Sequence, residues 1–140
     1  MSVVIDVIIP VYNEENSIGK VIAEIPKAWV RNILVCNNGS TDLTAEKASD
    51  AGAIVLDQPK KGYGIACLKG MEYIANTRNY PDIVVFLDGD YSDYPEEMVD
   101  IVQPIIKDNM DLVIGSRALG NMEAGAMMPQ QIFGNWLATT

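Results

Sequence analysis

Two carboxylates, Asp88 and Asp90, stand one residue apart at the end of the apolar run 83–87. In extended backbone, side chains two positions apart point to the same side, so both carboxylates would face one ligand. Gly89 between them allows a ligand to approach the backbone closely. Paired carboxylates with room for phosphate oxygens and water suit Mg²⁺ or Mn²⁺. The alternative is a simple Asp-Gly turn, but no partner strand follows at hairpin distance, which favours the metal site.

Polar residues also follow three other apolar runs of the sequence. Ligands bind beyond the carboxyl ends of the strands in an open parallel sheet, so these residues would meet Asp88 and Asp90 on one rim. Polar groups at one strand end make an ordinary loop, whereas polar groups at four ends are better explained by a site. The candidates are Pro10, Val11, Tyr12, Asn13 and Glu14 after the first run, Asn37, Asn38 and Asp42 after the second, and Ser116 and Arg117 after the last.

An anionic ligand would need positive charge near this rim, because the chain has a formal net charge of −9. Lys60, Lys61 and Gly62 precede a predicted helix, where they could hold a diphosphate or form a solvated loop. Arg117 could bind a phosphate through two nitrogens or pair with a rim carboxylate. The amides of Asn37 and Asn38 could bind a base or ribose, or serve only their turn.

The apolar runs alternate with helical patterns along the whole sequence. Strands that are continuously apolar, rather than alternating, indicate a mostly parallel sheet with helices on both faces. The sequence therefore predicts an α/β, Rossmann-like architecture. Strands are predicted at 3–9, 32–36, 53–56, 82–87 and 111–115, and helices at 13–25, 42–52, 64–78 and 95–107.

Several helix ends are marked by residues with known preferences. Asn13 is predicted to cap the first helix and Gly52 to end the second. Pro95 suits the first position of the fourth helix, and Pro104 should kink that helix or end it early. In the third helix the spacing predicts five inward residues, which are Ile65, Leu68, Met71, Ile74 and Ala75.

The composition limits the class of protein. A chain of 140 residues, 49% of them hydrophobic, is expected to form one domain with a real core. The net charge of −9 argues against nucleic-acid binding. The absence of histidine excludes histidine-based catalysis and histidine-ligated zinc. Cys36 and Cys67 are expected to be buried free thiols in a reducing cytoplasm.

Five segments together resemble family 2 glycosyltransferases with the GT-A fold, in that family's order and spacing. The segments are “VIIPVYNEENSI”, “VCNNGSTDLT”, “KKGYGIACLKGM”, “FLDGDYSDYPEEM” and “LVIGSR”. The similarity is closest to the branch that contains dolichol-phosphate mannose synthase and related polyprenyl-phosphate glycosyltransferases. The tail “GAMMPQQIFGNWLA” also resembles that branch.

The resemblance implies an inverting enzyme with a UDP- or GDP-sugar donor and a divalent metal, Mg²⁺ or Mn²⁺. Asp90 and Arg117 are the residues expected to act in catalysis, and Lys61 adds positive charge. The family's usual “DDGS” is “NNGS” here, so position 38 keeps a carbonyl acceptor but loses a negative charge. By position, the resemblance assigns Pro10, Tyr12 and Glu14 to the nucleotide pocket, Asn38 to the base or ribose, Asp88 and Asp90 to metal and diphosphate, and Arg117 to the donor phosphates.

The resemblance also implies that the family continues beyond residue 140, so the chain is expected to be C-terminally truncated. The donor-binding core would occupy 1–117, and 118–140 would begin an incomplete acceptor-side region. A polyprenyl or dolichyl phosphate acceptor is already ionised and needs no strong base, which agrees with a histidine-free chain; a glycan hydroxyl would need one. The apolar end at 132–137 would support dimerisation or contact with the cytoplasmic face of a membrane.

Two other functions are compatible with parts of the sequence. “VFLDGDYS” also fits a phosphatase of the haloacid dehalogenase type, in which Asp88 would be the nucleophile and Asp90 an acid–base. That family normally carries this motif on the first strand, whereas here it follows the fourth, and it leaves the segments around Tyr12 and Asn38 unexplained. The other alternative is a donor-binding module that is inactive without an acceptor region.

Overall fold

The computed structural model describes residues 3–92, 94–100, 102–103 and 112–114. Its strands are β1 (Ile5–Val11), β2 (Asn32–Asn37), β3 (Ile54–Asp57), β4 (Ile83–Phe86) and β5 (Leu112–Ile114). They form one sheet in the order β3-β2-β1-β4-β5, and each pair of neighbours is parallel. The prediction of a parallel α/β sheet is confirmed, and β1 lies at its centre.

The helices are α1 (Ile18–Glu24), α2 (Thr44–Asp50) and α3 (Tyr63–Thr77). Single 3₁₀ turns occur at Lys27–Trp29 and Pro95–Glu97, and residues 98–100 and 102–103 are helical. Pro95 opens its segment as predicted, while Pro104 lies outside the described residues. No helix in the described ranges is long and apolar enough to cross a bilayer.

Two apolar clusters cover the two faces of the sheet. On one face, α1 packs Ile18, Val21 and Ile22 against the sheet, together with Met98 and Val102. On the other face, α3 packs Ala66, Cys67 and Ile74 against β1, β2 and β4. Cys36 and Cys67 are buried free thiols in this second cluster, as predicted, and burial raises the pKa of each to about 12.

The predicted start of the first helix at Asn13 is wrong. The helix begins at Ile18, and its flanking residue Ser17 makes no side-chain capping bond. Asn13 instead has a left-handed backbone, with φ of 51°, and its side-chain oxygen accepts a hydrogen bond from the Thr41 N–H at 2.8 Å. A contact with the loop after β2 therefore replaces the local cap that the sequence suggested.

The predicted inward face of the third helix is partly wrong. Leu68, expected inside, is 45% exposed, and Ala75 is also exposed, whereas Ala66, Cys67, Gly70 and Ile74 are buried. Gly70 determines how closely α3 approaches the sheet, because a Cβ built on it would lie 2.9 Å from side-chain carbons of Ile8 in β1. The helix thus approaches the sheet closely through Ala66, Cys67 and Gly70, with Ile74 also buried and Leu68 turned outward.

The amino-terminal end of β1 is fixed by polar contacts. Asp6 is 1% exposed, and Arg31 donates to both of its oxygens, from Nη2 at 2.7 Å and from Nε at 3.1 Å. The same Nη2 donates to the carbonyl oxygen of Asn79, which precedes β4. A buried carboxylate needs such a partner, since an unpaired one would be strongly unfavourable. This pair ties the amino-terminal end of β1 to the segments that lead into its two neighbours.

The close packing of α3 gives a test with a matched control. We expect Gly70→Ala to lower the free energy of unfolding by about 1–3 kcal/mol, because the added methyl group overpacks Ile8. Gly19→Ala, in α1, adds the same methyl group where nothing lies within 4 Å. That control should raise the free energy of unfolding by up to about 1 kcal/mol, since alanine is more favourable than glycine within a helix. Urea unfolding of both variants checks this, and equal effects would contradict the packing.

Candidate functional site

A cleft of about 350 Å³ opens beyond the carboxyl ends of the central strands. The end of β1, the residue after β2, the loop after β4 and the start of α3 form its walls. It is lined by Pro10, Val11, Tyr12, Glu14, Asn38, Tyr63, Ala66, Asp88, Gly89 and Asp90. The expected rim of a parallel sheet is therefore present, and residues from three strand ends meet there.

Most of the site residues predicted from the sequence line this cleft, and some do not. Those that line it are Pro10, Val11, Tyr12, Glu14, Asn38, Asp88, Gly89 and Asp90. Asn13, Asn37, Asp42, Lys61 and Gly62 are not among the lining residues. Arg117 lies outside the described residues, as does the whole of 115–140.

Tyr63 and Ala66 line the cleft although they were not predicted. They belong to the first turns of α3, which points its amino-terminal end toward the cleft. The sequence carried a signal for this, because Tyr63 directly follows the basic, glycine-containing segment 60–62.

The loop that carries Asp88 and Asp90 is pressed against β1. A Cβ built on Gly89 would lie 2.5 Å from Cγ1 of Val11. Ser17 at the start of α1 donates its hydroxyl to the carbonyl oxygen of Gly89 at 2.6 Å. The glycine is thus required by the protein's own packing, which adds to the ligand access expected from the sequence.

Tyr91 anchors the far side of the same loop. Its backbone is left-handed, with φ of 62°, a conformation that is unusual for an aromatic residue. Its hydroxyl donates to Oε2 of Glu24 at 2.5 Å, and Nζ of Lys20 lies 4.1 Å from its ring centroid. The hydrogen bond to Glu24 raises the pKa of Tyr91 to about 12. Together with Ser17, these contacts from α1 fix both sides of Asp90.

The rim of the cleft is acidic. The pKa of Glu14 is raised, first by burial, and further by the negative charges of Asp90 and Asp42. One oxygen of Asp90 accepts hydrogen bonds from the backbone and hydroxyl of Ser92, at 3.0 and 2.5 Å. Within the described part of the chain, no three acidic or cysteine side chains are grouped so as to hold a metal unaided. A cation here would need oxygen atoms from a bound molecule as well.

Lys61 brings positive charge to the edge of this cleft. Its ammonium lies 3.3 Å from the ring centroid of Tyr12, a cation–π contact. The same group donates to the backbone carbonyl oxygen of Asn38 at 3.2 Å. Although Lys61 does not line the cleft, it contacts two residues that do.

Asn13 and Asp42 hold two loops together beside the cleft. The Asn13 N–H donates to Oγ of Ser40 at 2.9 Å, and the Glu15 N–H donates to Asp42 at 3.3 Å. Asp42 also accepts, at 2.9 Å, from the N–H of Thr44, the first residue of α2. These contacts explain why both residues are polar, and they give each a structural task.

The contact between Gly89 and Val11 can be tested by a double-mutant cycle. We expect Gly89→Ala to lower the free energy of unfolding by about 1–3 kcal/mol through overpacking. Val11→Ala removes the carbon that the new methyl group would meet, so the double variant should lose clearly less than the sum of the two single losses. Urea unfolding of the four proteins measures this, and strictly additive losses would show that the two residues do not touch.

The family model described as “Glycosyl transferase family 2” matches residues 6–139 of this chain. A dolichyl-phosphate hexose transferase of Haloferax volcanii is 38% identical over 112 residues, covering 79% of this chain and 46% of that protein. Protein RfbJ of Shigella flexneri is 38% identical over 117 residues, covering 81% of this chain and 84% of RfbJ.

Solved structures with the same fold include glucosyl-3-phosphoglycerate synthase from Mycobacterium tuberculosis, in complex with Mn²⁺, UDP and glucosyl-3-phosphoglycerate. It superposes with a TM-score of 0.63 at 29% identity, covering 74% of this chain and 40% of that one. The chain thus spans roughly half the length of several proteins that it matches, including 53% of a relative from Methanocaldococcus jannaschii. With the family model matching almost from end to end, the chain belongs to glycosyl transferase family 2.

Proposed function

We propose that the cleft binds a nucleoside-diphosphate sugar, and that the protein transfers the sugar to an acceptor with inversion at the anomeric carbon. The observation that carries this proposal is that Asp88 and Asp90 line the same cleft as Tyr12 and Asn38. The two carboxylates and the exposed ring of Tyr12 are thereby within reach of one ligand. Family membership and the UDP bound in the mycobacterial structure support the nature of that ligand.

Asp88 and Asp90 are proposed to hold Mg²⁺ or Mn²⁺ together with the donor diphosphate. The site fits a hard cation, because the carboxylates of Glu14, Asp88 and Asp90 line one cleft and offer the oxygen ligands that such cations prefer. The loop would supply two carboxylates to the metal, and the diphosphate would supply further oxygen ligands. The Mn²⁺ in the mycobacterial structure supports a divalent ion but does not select between the two metals.

The residues of the chain have separate tasks in this proposal. When bound, the metal supplies Lewis-acid stabilisation of the leaving diphosphate. Lys61, beside Tyr12, adds a positive charge at the edge of the cleft, where it would stabilise the negative charge that develops on the leaving diphosphate. Tyr12, 48% exposed, offers an aromatic edge to the nucleotide. Arg117, from the sequence resemblance, is proposed to contact the donor phosphates.

The acceptor is proposed to be a polyprenyl or dolichyl phosphate, at a membrane surface. The similarity to the dolichyl-phosphate hexose transferase supports this choice. An ionised phosphate oxygen attacks without a general base, so a chain without histidine can use it. The region 118–140 is proposed to begin the acceptor side.

A second candidate is a donor-binding role without transfer. The lining of the cleft would serve this role as well, because binding a nucleoside-diphosphate sugar needs only the donor side of the site. The haloacid dehalogenase alternative does not agree with the family assignment, and the Asp88 motif follows β4 rather than β1.

Isothermal titration with UDP and with GDP, each with and without Mn²⁺, tests the proposed donor site. We expect at least one nucleotide to bind, and Mn²⁺ to raise its affinity by about tenfold or more. Asp88→Asn should remove this metal dependence, because it removes one charged ligand. Asp50→Asn, an exposed change of the same type on α2, is the matched control and should bind as the unchanged protein does.

A folded protein that binds neither nucleotide would overturn the proposed donor site. If Asp88→Asn kept the full effect of Mn²⁺, the nucleotide site would stand and the metal assignment would be wrong.

A further inference from the structure

The side chain of Asn38 is fully engaged with the loop 58–62. Its Nδ2 donates to the carbonyl oxygens of Gln58 and Lys60, each at 2.8 Å. Its Oδ1 accepts from the Gly62 N–H at 3.0 Å. Asn38 is 8% exposed, so these bonds are shielded from water. Both N–H bonds of its amide point at protein carbonyls.

This arrangement requires an amide at position 38. A primary amide has two donors and a carbonyl acceptor, which matches two carbonyls and one N–H in the loop. A carboxylate has no donor and would place a charged oxygen against two carbonyl oxygens. The asparagine that stands at position 38 in “NNGS”, where the family usually has the second aspartate of “DDGS”, therefore suits the backbone groups of a loop that begins twenty residues further along the chain.

The loop held by Asn38 brings the positive charge of Lys61 to the edge of the cleft. Lys61 lies between two of the anchored residues, Lys60 and Gly62, and its ammonium contacts the Tyr12 ring. Gly62 has a φ of +144° and accepts the Ala66 N–H into its carbonyl oxygen, so it also begins α3. Asn38 itself is joined to β1 through its N–H, which donates to the Val11 carbonyl oxygen at 2.8 Å. Through its side chain and its backbone N–H, Asn38 thus connects the loop and the start of α3 to β1.

We propose that Asn38 is a positioning residue: it holds the loop 58–62 so that Lys61 stands at the edge of the cleft for the donor diphosphate, and it does not read the base. The role of Lys61 toward a diphosphate rests on the proposed function, whereas the anchoring of the loop does not. The contact with base or ribose that the family resemblance assigned to position 38 is replaced by the contact with this loop.

Hydrogen exchange in the ligand-free protein tests the anchoring. We expect the Gly62 amide to exchange at least tenfold faster in Asn38→Asp than in the unchanged protein, because its acceptor is displaced. Asn38→Ala, which adds no charge, should show the same direction and carries the test if Asn38→Asp does not fold. Asn79→Asp makes the same charge change at an exposed residue and should exchange as the unchanged protein does. Unchanged Gly62 exchange in both Asn38 variants would overturn the proposal.

Binding of UDP, GDP and inorganic pyrophosphate, each with Mg²⁺, separates positioning from base reading. We expect Asn38→Ala to weaken all three by a common factor of about tenfold, since the loss would reach them through Lys61. Lys61→Met should weaken them similarly, and should add little when combined with Asn38→Ala. A change in the ratio of UDP to GDP affinity would show base reading and overturn the proposal, as would unchanged affinity for all three.

If the unchanged protein binds none of the three ligands, the proposed function fails. The exchange of the Gly62 amide still decides in that case whether Asn38 holds the loop.

Discussion

The site depends on β1 being buried on both faces and paired on both edges. All seven residues of this strand are buried, and it is parallel to β2 on one side and β4 on the other. Its carboxyl end therefore lies between the loops that carry Asn38 and Asp88. The 2.5 Å approach of Val11 to a Cβ at position 89 shows how little room separates β1 from the acidic loop. Any larger residue at either position would change where the carboxylates stand.

Side chain to backbone hydrogen bonds then fix the loops around that strand. Ser17 holds Gly89, and Asn38 holds the loop that carries Lys61. In each case the residue that donates or accepts through its side chain supports the site and is not proposed to contact the reacting atoms of the ligand. A binding site needs this kind of support, because misplacement by about 1 Å weakens a designed constellation severely. The polar residues of the rim therefore serve two purposes. Some are proposed to bind the ligand, and others hold the loops that carry those binding residues.

The strands, their parallel direction and most of the cleft could be predicted from the sequence, because continuous apolar runs and the residues that follow them are local signals. The start of α1 could not, since Asn13 bonds to Thr41, 28 residues away. Leu68 was misplaced because apolar periodicity does not reveal that a glycine, Gly70, sets the closest approach of α3. The task of Asn38 was also hidden, since its three partners lie in a loop 20 to 24 residues further on.

The central claim is that a divalent metal and a nucleoside diphosphate meet in the cleft beside Asp88 and Asp90. Paramagnetic broadening of amide NMR signals by Mn²⁺ in the presence of UDP or GDP measures the metal's position directly. The account predicts strong broadening at Tyr12, Gly62 and Gly89, with Asp50 and Asn79 remaining sharp, and loss of this pattern in Asp88→Asn. Broadening centred on other residues, or an unchanged pattern in that variant, would contradict it.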